Sequence, residues 1–141
     1  MKITVIGVGK IKEKYFTDAI KEYAKRLSRY CKLEIVEVAD EKTPDGASET
    51  LNAQIKEKEG MRILQKIPES AYVVALAIDG KMLDSEELAT QMERWNVGGI
   101  SQIVFVIGGS LGLASAVLQR ADYKLSFSKM TFPHQLMRVV L

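Results

Sequence analysis

Two stretches of the chain are apolar without interruption, Ala71-Tyr72-Val73-Val74-Ala75-Leu76-Ala77-Ile78 and Ile103-Val104-Phe105-Val106-Ile107. Unbroken runs of this kind, rich in β-branched residues, predict strands buried on both faces of a parallel sheet. Lys2 to Val8 reads as a first strand. Leu33-Glu34-Ile35-Val36-Glu37-Val38 alternates, which predicts a strand nearer the sheet edge with one polar side. Tyr123 to Ser128 alternates over a shorter length.

Between these runs the apolar period changes to that of a helix. From Glu13 to about Tyr30, Phe16, Ala19, Ile20, Tyr23 and Leu27 share one face, while Lys14, Lys21, Lys25, Arg26 and Arg29 occupy much of the other. That charged face reads either as solvated or as a surface for RNA. A second helix is predicted from Ser48 to Ile67, on a thin stripe of Leu51, Ile55, Leu64 and Ile67, and Pro68 closes it. Asp84 with Glu87 three residues on has capping-box spacing, and Leu88, Met92 and Trp95 form the buried stripe of the helix that follows. Trp95 is expected in the core rather than as a base-stacking platform. Shorter helices are predicted over Ala114–Ala121 and from His134 to Leu141, the latter opened by Pro133. Strands alternating with helices predict an α/β domain with a mainly parallel sheet flanked by helices, one domain over residues 1–141.

Glycines mark the strand ends. Gly108-Gly109-Ser110-Leu111-Gly112 follows the central strand, where a backbone can approach a ligand. A tight turn without a ligand is the alternative. Asp79-Gly80-Lys81 is expected to be a glycine turn at the end of another strand. Gly7-Val8-Gly9 after the first strand suggests a dinucleotide loop, but the third glycine of that fingerprint would fall at Lys12.

With 141 residues, 47% apolar and 27% charged, the chain has room for one ordinary globular core. A net charge of +2 permits an RNA partner without demanding one. One cysteine, Cys31, and one histidine, His134, leave no set for a disulfide framework or a structural zinc site. There is no signal peptide pattern and no run long enough to span a membrane, so a cytoplasmic location is expected.

Three segments at strand ends carry the most specific information: Leu76 to Gly80, Phe105 to Gly112, and Ser126-Phe127-Ser128-Lys129-Met130-Thr131-Phe132-Pro133-His134 on to Arg138. Together they resemble the SPOUT methyltransferases, enzymes with a C-terminal trefoil knot. Within them the likeness is to those acting on 23S rRNA in the large ribosomal subunit, and it runs along the whole chain. The resemblance implies an S-adenosylmethionine-dependent homodimer that methylates N3 of a pseudouridine (position 1915 in the usual rRNA numbering) on assembled ribosomes. It implies cofactor contacts at Leu76, Gly108, Phe127, Ser128, Lys129, Met130, Thr131 and Phe132, and no metal. It also implies a longer knot helix and a tail ending in Tyr-His and a basic residue, beyond Leu141. On that ground this chain is expected to bind cofactor but transfer methyl groups poorly.

His134 is the candidate catalytic residue, with a purely structural role at the helix start as the alternative. Lys10, Lys12, Lys129 and Arg138 are candidates for holding the RNA backbone. A ribosome-binding module without catalysis and a dehydrogenase built on Gly7 and Gly9 are the competing readings.

Overall fold

The computed structural model describes residues 1–141 as five parallel strands and five helices. The strands are β1 (Lys2–Val8), β2 (Lys32–Val38), β3 (Tyr72–Met82), β4 (Gln102–Ile107) and β5 (Tyr123–Ser126), in the spatial order β2-β1-β4-β3-β5. Every pairing is parallel. Parallel neighbours cannot be joined by hairpins, so each connection crosses a face of the sheet, and four of the five helices lie in these crossovers. These are α1 (Lys14–Leu27), α2 (Glu49–Gln65), α3 (Ser85–Val97) and α4 (Ser115–Arg120); α5 (His134–Val140) follows β5.

Strand alternation divides the core in two. Ile6, Val8, Val73, Val104 and Val106 point to one face, where Ile63 of α2 and Val117 of α4 meet them. Val74, Ile103, Phe105 and Leu125 point to the other, against Trp95 of α3. β4 is therefore buried on both sides, as its unbroken apolar run predicts. β2 lies at the edge, where Ile35 stays 42% exposed. Ser48 caps α2 through Leu51 N–H, and Asp84 with Glu87 forms the capping box of α3.

One expectation is corrected. The chain does not leave the sheet at Asp79-Gly80-Lys81. β3 runs on to Met82 through a bulge, with Leu76 and Lys81 both set against Leu125 of β5. Gly80 lies so close to β5 that a Cβ there would stand 2.8 Å from the Lys124 carbonyl carbon. The glycine permits a close strand contact, and the excursion 77–80 is pushed up at the carboxyl edge.

The chain leaves β1 toward one face and β4 toward the other, which makes the crevice between these neighbours a topological switch point. Here α5 returns from β5 and packs against α1 and β4, so that the chain's own last helix occupies this crevice. The space left open lies on the β3–β5 side.

Candidate active site

A pocket of about 150 Å³ opens at the carboxyl ends of β3, β4 and β5. Leu76, Ala77 and Ile78 form one wall, and the glycine loop after β4 another. The segment after β5 and the first turn of α5 close it. Of the residues singled out by sequence, Leu76, Gly108, Phe127 and Ser128 line it, as do Met130, Thr131, Phe132 and His134. Lys129 does not. Ile78 and Met137, inside two of the singled-out segments, also line it, as do Leu113 and Leu125, which carried no sequence signal beyond apolarity.

The glycine loop is built to fold back on itself. Gly112, at φ +85°, donates its N–H to the Gly109 carbonyl at 3.0 Å. A Cβ on Gly108 would lie 2.7 Å from the Gly112 carbonyl carbon. Gly108 thus makes room for its own loop before any ligand is considered, which changes the reason why a side chain there is excluded. From behind, Glu59 of α2 braces the loop, with its Oε1 3.3 Å from where a Cβ on Gly109 would stand. Glu59 is only 5% exposed and accepts the Glu41 N–H at Oε2, 3.0 Å. Burial pushes its carboxyl above the usual range, against the pull of that hydrogen bond.

The segment after β5 is shaped by its serines. Ser126 Oγ donates to the Ser128 carbonyl at 3.1 Å, and Ser128 Oγ accepts the Met130 N–H at 2.9 Å. Met130 and Phe132 remain 76% and 38% exposed at the mouth. His134 opens α5 directly after Pro133. Its pKa is lowered, first by burial and then by the neighbouring Arg138 guanidinium, with Asp40 pulling the other way. A neutral imidazole at pH 7 can accept a proton.

Arg138 is not an RNA-facing residue, and that expectation is corrected. Its side chain is 3% exposed and holds the end of β1 and β2. Nη1 meets Glu37 Oε2 at 2.9 Å, while Nη2 donates to the Val8 and Gly9 carbonyls at 2.6 and 2.8 Å. The same guanidinium fills the space after the first strand. A Cβ on Gly7 would lie 2.5 Å from Arg138 Nε, so Gly7 serves an intramolecular contact, and the dinucleotide reading of Gly7-Val8-Gly9 loses its cavity. The available signal was a single cation within Leu136-Met137-Arg138-Val139-Val140.

A larger groove, about 610 Å³, lies between α1, α3, the end of α5 and the sheet, and fifteen of its seventeen lining residues are hydrophobic. It leaves Tyr23, Leu27, Ile35 and Val140 between 41% and 49% exposed. With few polar groups to orient a small molecule, it reads as a surface for another apolar surface.

A family described as "predicted SPOUT methyltransferase" matches residues 1–141. The chain belongs to the SPOUT methyltransferase family, and it is a methyltransferase. Among its relatives, proteins named ribosomal RNA large subunit methyltransferase H are 65% identical in Bifidobacterium adolescentis and 62% identical in Bifidobacterium animalis subsp. lactis. One named ribosomal RNA large subunit methyltransferase H 1, from Clostridium perfringens, is 62% identical. Each match covers 100% of this chain and 89% of the relative.

Two outcomes follow from the α5 contacts. Arg138→Met, which removes the cationic partner of Glu37 and the guanidinium donors to two carbonyls, lowers unfolding stability by about 3 kcal/mol, at the low end of the buried-pair range because Glu37 is partly exposed and keeps the Ile11 N–H. Denaturant titration reads the loss. For His134, the folded pKa lies below the unfolded value, so unfolded chains bind the proton first as pH falls. The stability difference between the native chain and His134→Gln therefore shifts in favour of the variant as pH falls through the unfolded value of 6.5. A pH-independent difference would contradict the partly buried, neutral imidazole.

Proposed function

We propose that this methyltransferase acts on ribosomal RNA of the large subunit, using S-adenosylmethionine to methylate N3 of a pseudouridine in the assembled ribosome. The observation that carries the reading is the convergence of three loops and the first turn of α5 on one pocket. The names of the relatives support the RNA substrate. A ribosomal substrate places the protein in the cytoplasm; none of its helices is long and apolar enough to cross a membrane.

The residues present fit such a cofactor. Leu76, Ile78 and Met137 offer apolar walls for a flat base, and the glycine loop and the 127–132 segment offer backbone polar groups for its edges. The pocket is smaller than the roughly 300–1,000 Å³ usual for ligand sites, so it would enclose only part of such a molecule, with Met130 and Phe132 exposed at its mouth. When bound, S-adenosylmethionine supplies a methyl group already activated on a sulfonium sulfur. The chain has two remaining tasks. Holding the methyl carbon in line with N3 contributes roughly 7–11 kcal/mol. Removing the N3 proton contributes a factor of about 10²–10⁴, and His134 is the candidate acceptor.

Two further features belong to this reading. The passage of α5 from β5 past the β4 loop to the end of β1 is the segment we assign to a trefoil knot, within one domain spanning 1–141. The apolar groove is assigned to a homodimer contact, in which a second copy covers Tyr23, Leu27, Ile35 and Val140.

The test is transfer of labelled methyl groups to ribosomes lacking the modification, with the product located by mass spectrometry. Modification of N3 is expected, at a low rate; label on another atom, or ribosomes that the chain does not bind, contradicts the substrate assignment. Gly108→Ala drives a methyl group into the Gly112 backbone, so calorimetric titration should show cofactor affinity reduced at least tenfold in a folded variant. Undiminished affinity would leave the glycine loop a mere turn. Light scattering should give about twice the 15.7 kDa chain mass, and a monomer would leave the groove without its proposed occupant.

A further inference from the structure

We propose that the loop between β1 and α1 is a preformed RNA-docking element, in which Lys10 and Lys12 take phosphates on one side of the target nucleotide while Lys129 takes one on the other. This rests on the reading of RNA as the substrate, and assigns the surface that receives it.

Placement comes first. The loop leaves the carboxyl end of β1, next to the β4 glycine loop, on the same edge of the sheet as the pocket. Lys129 follows β5 on the far side. In the order β2-β1-β4-β3-β5, the ends of β1 and β5 are three strand spacings apart, about 14 Å. The pocket lies between them, so a base entering it would have one flanking phosphate on the side of β1 and the other on the side of β5.

The loop is also held with unusual firmness for an exposed connection. Gly9 N–H donates to the Val38 carbonyl at 2.8 Å, and the Gly9 carbonyl accepts from Arg138 Nη2 at 2.8 Å. Ile11 N–H donates to Glu37 Oε2 at 3.0 Å, and that same oxygen receives Arg138 Nη1 at 2.9 Å. A buried guanidinium on α5 and one carboxylate on β2 thus fix the backbone on either side of Lys10. Because α5 also carries His134, the loop and the candidate proton acceptor share one frame.

Charge is the third observation. Lys2, Lys14, Arg26, Arg62, Arg120 and Arg138 each have an acidic partner within 4 Å. Lys10, Lys12 and Lys129 have none, which they share with eleven other cations of the chain; what sets these three apart is their place at the carboxyl edge of the sheet beside the pocket. Glu13, next in the chain, limits the basic surface to these points rather than a broad patch. Lys25 and Arg26 lie in the last turn of α1, about 20 Å of helix away toward the opposite edge. That distance removes the far end of the charged α1 face from the contact.

The experiment compares the native chain, Lys10→Gln/Lys12→Gln, Lys129→Gln and, as a control, Lys25→Gln, using unmodified ribosomes as the probe. Circular dichroism checks folding, which exposed lysines do not support. The double variant should raise the KM for ribosomes about tenfold and lower the salt dependence of binding by about two phosphate contacts. Lys129→Gln should lower it by about one, with cofactor affinity unchanged in both. Lys25→Gln should behave as the native chain. A double variant with native KM and native salt dependence, beside an active native chain, overturns the loop assignment alone. Native chain that neither binds nor methylates ribosomes overturns the substrate reading beneath it.

Discussion

One buried guanidinium fixes the geometry at the carboxyl edge of the sheet. Arg138 stands 130 residues from the Val8 carbonyl it binds, and with Glu37 it ties α5 to the ends of β1 and β2. Desolvating a guanidinium is costly unless its donors are met. The observed registration of α5 gives Nη1 and Nη2 their partners in Glu37 and the Val8 and Gly9 carbonyls, while Nε, in the space Gly7 leaves, has none. From that registration follow the position of His134 one turn earlier, the course of the 127–133 segment and the closing wall of the pocket.

The consequence is a division of labour along the sheet. The crevice between β1 and β4, where an open α/β sheet would ordinarily receive its ligand, is filled by the chain's own helix. The ligand space moves to the β3–β5 side, and Glu59 braces the β4 loop from the opposite face. The apolar groove behind α1 is larger yet chemically poorer, while convergent backbone groups, a histidine and three loops distinguish the smaller pocket as the candidate site.

Much of this was legible in the sequence because it depends on local pattern. The unbroken run 103–107 could only be a strand covered on both sides, Asp84 and Glu87 announced their capping box, and Trp95 at helical spacing with Leu88 and Met92 belonged to the core. The loops at Leu76, Gly108 and Phe127–Phe132 were readable as candidates because their glycines and polar residues interrupt apolar strands. What escaped depends on contacts far apart in sequence. Arg138 looks like a surface cation until Glu37 and Val8 are brought beside it, and Gly7 looks like a cofactor glycine until that guanidinium fills its space. The β3 bulge escaped for a similar reason: Gly80 reads as a turn residue unless β5 is known to press against it. Lys129 lies in the same segment but is not among the residues that line the pocket.

The pocket where the β4 loop, the 127–132 segment and α5 meet is the place we assign to the proposed cofactor. Heteronuclear NMR of the isotopically labelled chain, titrated with S-adenosylhomocysteine, locates the ligand. Saturable amide shifts are expected at Leu76–Ile78, Gly108–Leu113 and Phe127–His134, leaving the far end of α1 and the residues of the apolar groove distant from the pocket unmoved. Shifts concentrated instead along Tyr23, Leu27 and Ile35, or no saturable shifts at all, would contradict that assignment.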